Sequence, residues 1–88
     1  MAPPRLDHPL DQAVPLTSAR CRGAVRIAGY AEPAHAQRLR ELGLIEGCLV
    51  RIVAGADPLI CAVGAARIAL ARHLAESILV RKAHAAVP

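Results

Sequence analysis

Four histidines, three cysteines and seven carboxylates are the residues of this 88-residue chain with chemistry to offer. Their spacing decides what they could do. His73 and Glu76 stand three apart, so one helical turn would set them on one face, where they could share a metal ion. Two ligands fall short of the three or four that a zinc site takes from its protein, so a solvated pair is the expected outcome. His8, His35 and His84 are scattered. Cys21, Cys48 and Cys61 are odd in number and lack C-x-x-C spacing, which reads as buried or half-buried thiols in a reducing compartment rather than a disulfide framework. Asp7, Asp11, Glu32, Glu41, Glu46, Asp57 and Glu76 form no paired-acid pattern. Neither glycine-rich phosphate loop, G-x-x-x-x-G-K-[ST] or G-x-G-x-x-G, is present. A domain this small has little room for a deep pocket. No catalytic residue, cofactor or metal ligand is therefore assigned, and the chain reads as something other than an enzyme.

Charge and composition narrow the partners. Eleven Lys and Arg against seven Asp and Glu leave a net charge of +4, spread along the chain with tight pairs only at Arg20/Arg22, Arg38/Arg40 and Arg81/Lys82. No block of five or six like charges forms an arm for nucleic acid or anionic lipid, so a solvated basic surface is expected. Tyr30 is the sole aromatic residue, which counts against stacking on single strands. The longest uncharged run, Pro58 to Ala66, is far short of the roughly 20 residues of a spanning helix, so no membrane insertion is expected. Met1 to Pro15 has no apolar segment of the secretory type, and a cytoplasmic location follows as an expectation.

Hydrophobic residues make up 55% of the chain, which implies a packed core, and the length allows one domain. Residues 1–14 read as a flexible Pro-rich tail, 15–82 as the domain and 83–88 as a second tail. Val25 and Ile27 alternate with Arg26, as in a half-buried strand entered through a turn at Gly23. Glu32-Pro33 opens a helix that runs to Leu42, and Gly43 stops it by taking the left-handed conformation, so that Leu44 folds back onto Leu39. Strands follow over 48–54, 59–63 and 67–70, then a helical turn over 71–76 and a strand over 77–81. The fold class expected is mainly β: a small antiparallel β-barrel with one inserted α-helix and a short helical turn before the last strand. Val25, Ile27, Val50, Ile52, Ile60, Ile68, Leu70, Ile78 and Val80 would fill it. Leu49, Val53, Leu59, Val63 and Leu79 would face the other way, leaving apolar surface for a partner or for a homo-oligomer.

Three segments carry a family resemblance. Arg38-Leu39-Arg40-Glu41-Leu42-Gly43-Leu44-Ile45-Glu46-Gly47 resembles the R-L-x-x-L-G-h-x-x-G element of ferrous-iron transport protein A, the FeoA family. Asp57-Pro58-Leu59-Ile60 is similar to its D-P-h segment, and Ile68-Ala69-Leu70-Ala71-Arg72, with Ala75 and Ile78-Leu79-Val80, to its closing I-x-L-R…A…I-x-V pattern. The likeness spans about Pro15 to Lys82. Ala71 displaces the closing arginine, and Glu46 stands where the family often has proline, which would loosen the turn before Gly47. The resemblance implies an SH3-like barrel and a cytoplasmic accessory of the ferrous-iron permease FeoB, a membrane protein with a GTP-binding domain. On that reading the chain neither carries iron nor hydrolyses GTP, and it docks on the permease. Arg38, Leu39 and Leu42 are the candidate partner-binding residues, two apolar anchors beside a basic rim. The alternative for Leu42 is packing on the barrel, and for Leu39 partial cover by Leu44. Other readings are an SH3-like module of a metal-dependent transcription regulator, or a small basic barrel that binds nucleic acid.

Overall fold

The computed structural model describes residues 13–19 and 23–83. Its elements are β1 (Val14–Pro15), a 3-10 turn (Leu16–Ala19), β2 (Val25–Tyr30), α1 (Pro33–Glu41), β3 (Leu49–Gly55), β4 (Leu59–Val63), β5 (Ala66–Leu70), α2 (Arg72–Ala75) and β6 (Ile78–Lys82). All strand pairings are antiparallel, in the order β1-β6-β2-β3-β4-β5. The last strand thus inserts between the first two.

The mainly-β expectation holds, but the ladder does not close into a barrel: β1 and β5 remain its two edges. Non-strand residues complete the core instead. Leu16 and Ala19 of the 3-10 turn, Leu39 of α1, Leu44 of the following loop and Ala75 of α2 are buried with Val25, Ile27, Val50, Leu70, Ile78 and Val80 of the strands. Val14 belongs to this framework and not to a tail, since it pairs with Val80 while Pro15 pairs with Leu79. A two-residue edge strand tolerates proline, because the missing N–H can face away from the ladder. Most of the residues assigned to the two tails, with His8, Cys21 and His84, lie outside the described residues.

One strand has the opposite facing from that expected. Leu59 and Cys61 point into the core, and Ile60 is only half-buried. The segment Leu59-Ile60-Cys61-Ala62-Val63 is apolar on both faces, so alternation alone does not orient it, and a one-residue slip exchanges the two faces. Pairing decides: Leu59 lies opposite Leu70 and Cys61 opposite Ile68, which commits the odd-numbered positions to the interior. Ile52 and Ile68 pack against the core from partly buried positions. A bulge between Ile52 and Ala54 then leaves Val53 without a cross-strand partner on β4.

The loop from β3 to β4 has a strict steric requirement. Gly55 sits at φ +78°, and a Cβ there would collide with the carbonyl oxygen of Pro58. The same loop caps α2, because Asp57 Oδ1 accepts a hydrogen bond from the Arg72 amide at 3.1 Å.

Candidate functional site around the end of the first helix

The residues singled out by sequence lie at the C-terminal end of α1, where backbone chemistry fixes the geometry. Leu42 caps the helix and Gly43 follows at φ +98°. The Gly43 amide then donates to the Arg40 carbonyl at 3.0 Å and the Leu44 amide to the Leu39 carbonyl at 2.9 Å. This pair of reversed bonds is the Schellman arrangement, which brings the side chains flanking the glycine together. Leu39 and Leu44 are accordingly both 0% exposed.

That arrangement corrects the expected docking set. Leu39 is a core residue with no surface to offer a partner. Arg38 is exposed, and Leu42 is 38% exposed rather than packed inward. Two further apolar residues join it: Ile45 at 46% and Leu49 at 44% exposure. These three are the exposed large hydrophobic residues among those described, and all fall within one eight-residue stretch, 42–49. Leu49 was foreseeable from its parity on β3. Ile45 sits in a loop, where no periodicity marks it.

The stretch is tied down at both ends. The Gly47 amide donates to the Ile27 carbonyl at 2.8 Å, the Ile27 amide donates to the Cys48 carbonyl at 2.9 Å, and the Arg26 guanidinium donates to the Gly47 carbonyl at 2.7 Å. Between them, Tyr30 at the end of β2 reaches across: its hydroxyl donates to the Leu44 carbonyl at 2.5 Å and lies 3.2 Å from Glu46 Oε1. Arg40 grips the same carboxylate with two nitrogens, Nε to Oε1 at 3.2 Å and Nη2 to Oε2 at 2.8 Å, and its guanidinium lies 5.1 Å from the Tyr30 ring centre. A planar guanidinium suits this two-point grip.

The electrostatics follow from these contacts. The Arg40 hydrogen bond, helped by a backbone hydrogen bond at Glu46 itself, holds the Glu46 carboxyl at about 2. Arg40 is raised in turn, chiefly by that bond. Burial and the adjacent Glu46 charge raise the Tyr30 hydroxyl. Arg40 and Glu46 remain about half exposed, so the pair orients the loop more than it stabilises the fold. Glu46 was expected to loosen this turn; instead it is the residue on which Arg40 and Tyr30 converge.

The other chemistry-bearing residues do not gather. Glu76 pairs with Arg72 at 3.4 Å, while His73 meets His35 edge to face, with ring centres 6.1 Å apart. Among the described residues no group of three or more His, Cys, Asp or Glu is placed to hold a metal ion. Cys61 is buried, which raises its thiol, and Cys48 is half-buried. Among the described residues no helix is long and apolar enough to cross a membrane.

Comparison with known proteins places this geometry. No curated protein sequence matches the chain. Among solved structures it is similar to an iron uptake regulatory protein, FeoA, with 26% identity and a TM-score of 0.70, covering 81% of this chain and 97% of that one. It is also similar to Stenotrophomonas maltophilia FeoA in complex with zinc, described as a prokaryotic SH3 domain protein and candidate activating factor of ferrous iron transport. Identity there is 32% and the TM-score 0.67, over 81% of this chain and 100% of that one. T. acidophilum IdeR shares 25% identity at a TM-score of 0.67, but the match covers only 34% of that longer chain. The FeoA domain profile matches residues 9–82, a range that holds the Leu39–Leu44 helix stop, the Asp57 loop and the closing strand alike, and the chain therefore belongs to the FeoA family.

Proposed function

We propose that the chain is a cytoplasmic accessory of bacterial ferrous-iron uptake that docks on the permease FeoB and supports its assembly or activity. Family membership supplies the iron-transport context. The observation that carries the docking reading is the grouping of Leu42, Ile45 and Leu49, the exposed large hydrophobic residues among those described, in one stretch held by Tyr30, Arg40 and Glu46. Arg38 stands beside them as an exposed cation in the last turn of α1. Apolar anchors give such a contact its affinity, and a charged neighbour orients the approach. The likeness to a protein described as an SH3 domain supports an SH3-like reading of the open sheet, whose core is plugged by α1, α2 and the 3-10 turn.

Ferrous-iron uptake is the test. Cells lacking the gene are complemented with the wild-type chain or with Leu42→Asp, after circular dichroism confirms that the variant folds. Uptake restored by the wild type and not by Leu42→Asp supports docking through this stretch. Uptake unchanged by deletion rejects the accessory role.

The likeness to IdeR supports a second reading, an SH3-like module serving a metal-dependent regulator, with this chain corresponding to about a third of such a protein. Altered transcription of iron-responsive genes with normal uptake would favour it.

A further inference from the structure

We propose that the seam between β2 and β6 is a binding site for a polyvalent oxyanion of the phosphoryl class. A cavity of about 240 Å³ opens there, lined by Arg26, Ile27, Ala28, Arg81 and Lys82. The strand register puts Arg26 directly opposite Arg81, with Lys82 one step further along, opposite Val25. Like charges facing each other across a ladder are destabilising unless something neutralises them. Among the described residues no carboxylate pairs with any of the three, and all three are exposed. Arg26 is fixed by donating to the neutral Gly47 carbonyl at 2.7 Å, which positions its charge without cancelling it.

The backbone supplies the opening. Pairing shifts between Ile27 and Gly29, so Ala28 has no partner on β6, and its methyl group takes up little of the space beside the cations. The cavity is smaller than the roughly 300–1,000 Å³ of sites for drug-sized ligands, so it suits a single charged group at the end of a larger molecule or a free ion. Arg26 and Arg81 share one face of the ladder, and Lys82 borders the opening from the next position. A carboxylate would leave one of the two facing guanidinium charges unmatched, whereas a phosphoryl dianion matches both. Arginine adds the two-point geometry that phosphate oxygens accept. A soluble phosphate ester and a lipid headgroup share this chemistry.

The full chain is titrated with inorganic pyrophosphate while backbone amide NMR shifts are followed, and in parallel it is sedimented with phosphatidylcholine vesicles with or without phosphatidic acid. Saturable shifts are expected at residues 26–28 and 81–82. Arg81→Glu should weaken binding about tenfold or more, while Arg67→Glu, the same charge change on β5, keeps wild-type affinity. Arg81→Gln, which adds no negative charge, should fall between them and guards against misreading an unfolded variant. Pyrophosphate binding without retention on phosphatidic acid vesicles assigns the site to soluble phosphoryl compounds, and binding to the acidic vesicles, with or without pyrophosphate binding, assigns it to headgroups. No saturable binding in either arm, or equal weakening by Arg67→Glu and Arg81→Glu, overturns the proposal.

Discussion

The hydroxyl of Tyr30 donates to the main-chain carbonyl of Leu44, 14 residues away, at 2.5 Å. The contact joins the end of β2 to the loop that leaves α1, and it places the one tyrosine of a chain without Phe or Trp beside the Arg40–Glu46 pair. Tyr30→Phe keeps the ring and removes the donor. The Leu44 carbonyl then loses its side-chain partner, at a cost of about 1 kcal/mol in chemical denaturation. Docking should weaken with it, because Ile45 sits between Leu44 and Glu46.

Leu39 and Leu42 should respond oppositely to truncation. Leu39→Ala empties a fully buried site and should cost about 2–5 kcal/mol, a large part of a domain's total stability. Leu42→Ala should stay within about 0.5 kcal/mol of wild type in thermal melts while reducing iron uptake. A destabilised Leu42→Ala would mean that this side chain is structural.

Gly43→Ala isolates backbone strain. No neighbour lies within 4 Å of the added Cβ, so only the left-handed φ of +98° opposes it. The expected loss is about 1–2 kcal/mol. Gly55→Ala adds a collision with the Pro58 carbonyl to a similar strain and should lose more in the same melt.

Stability should depend on pH through Glu46. Its carboxyl is held at about 2, below the value near 4.5 it has when unpaired. The paired, charged form therefore favours the folded chain fully above the ordinary carboxylate range, and this contribution is lost as pH falls from about 4.5 towards 2. Glu46→Gln should flatten that part of the melting-temperature profile relative to wild type. Equal slopes in both proteins would show that the Arg40 contact does not persist in solution.

Thiol reactivity separates the two described cysteines. Burial raises the Cys61 thiol and closes it to reagent, while Cys48 is half-buried. In a Cys21→Ser background, a disulfide reagent should modify one thiol quickly, and Cys48→Ser should remove that phase.

How much was legible in the sequence depended on how local each determinant was. Gly43 and the return of Leu44 onto Leu39 could be read directly, because a helix stop is written within six residues and one left-handed position dictates the rest. The facing of β4 could not, because Leu59-Ile60-Cys61-Ala62-Val63 offers two apolar faces and the choice is made by Leu70 on a neighbouring strand. β1 escaped notice because two residues carry no period. Exposure at the candidate site was half legible: Arg38 and Leu42 are exposed at the end of the helix, yet Leu39 is withdrawn by the same backbone bonds that end it. Tyr30 and Glu46 meet across 16 residues of sequence, a distance at which spacing says nothing.

The strand order has a consequence for how the chain reaches this state. β6 lies between β1 and β2, so the first two strands have no ladder to each other: β1 waits for Ile78–Lys82, and β2, paired with β3 on one edge, waits for the same strand on its other edge. The segment from β3 to β5 pairs in sequence and can assemble early, by closing short loops. Three of the five pairings thus join strands consecutive in sequence, and the two made by β6 depend on the longest loop closures in the domain, which places its folding with the slower, non-local β topologies. During synthesis, β1 and β2 emerge well before their shared partner, and Val25 and Ile27 stay without that cover until the final strand arrives.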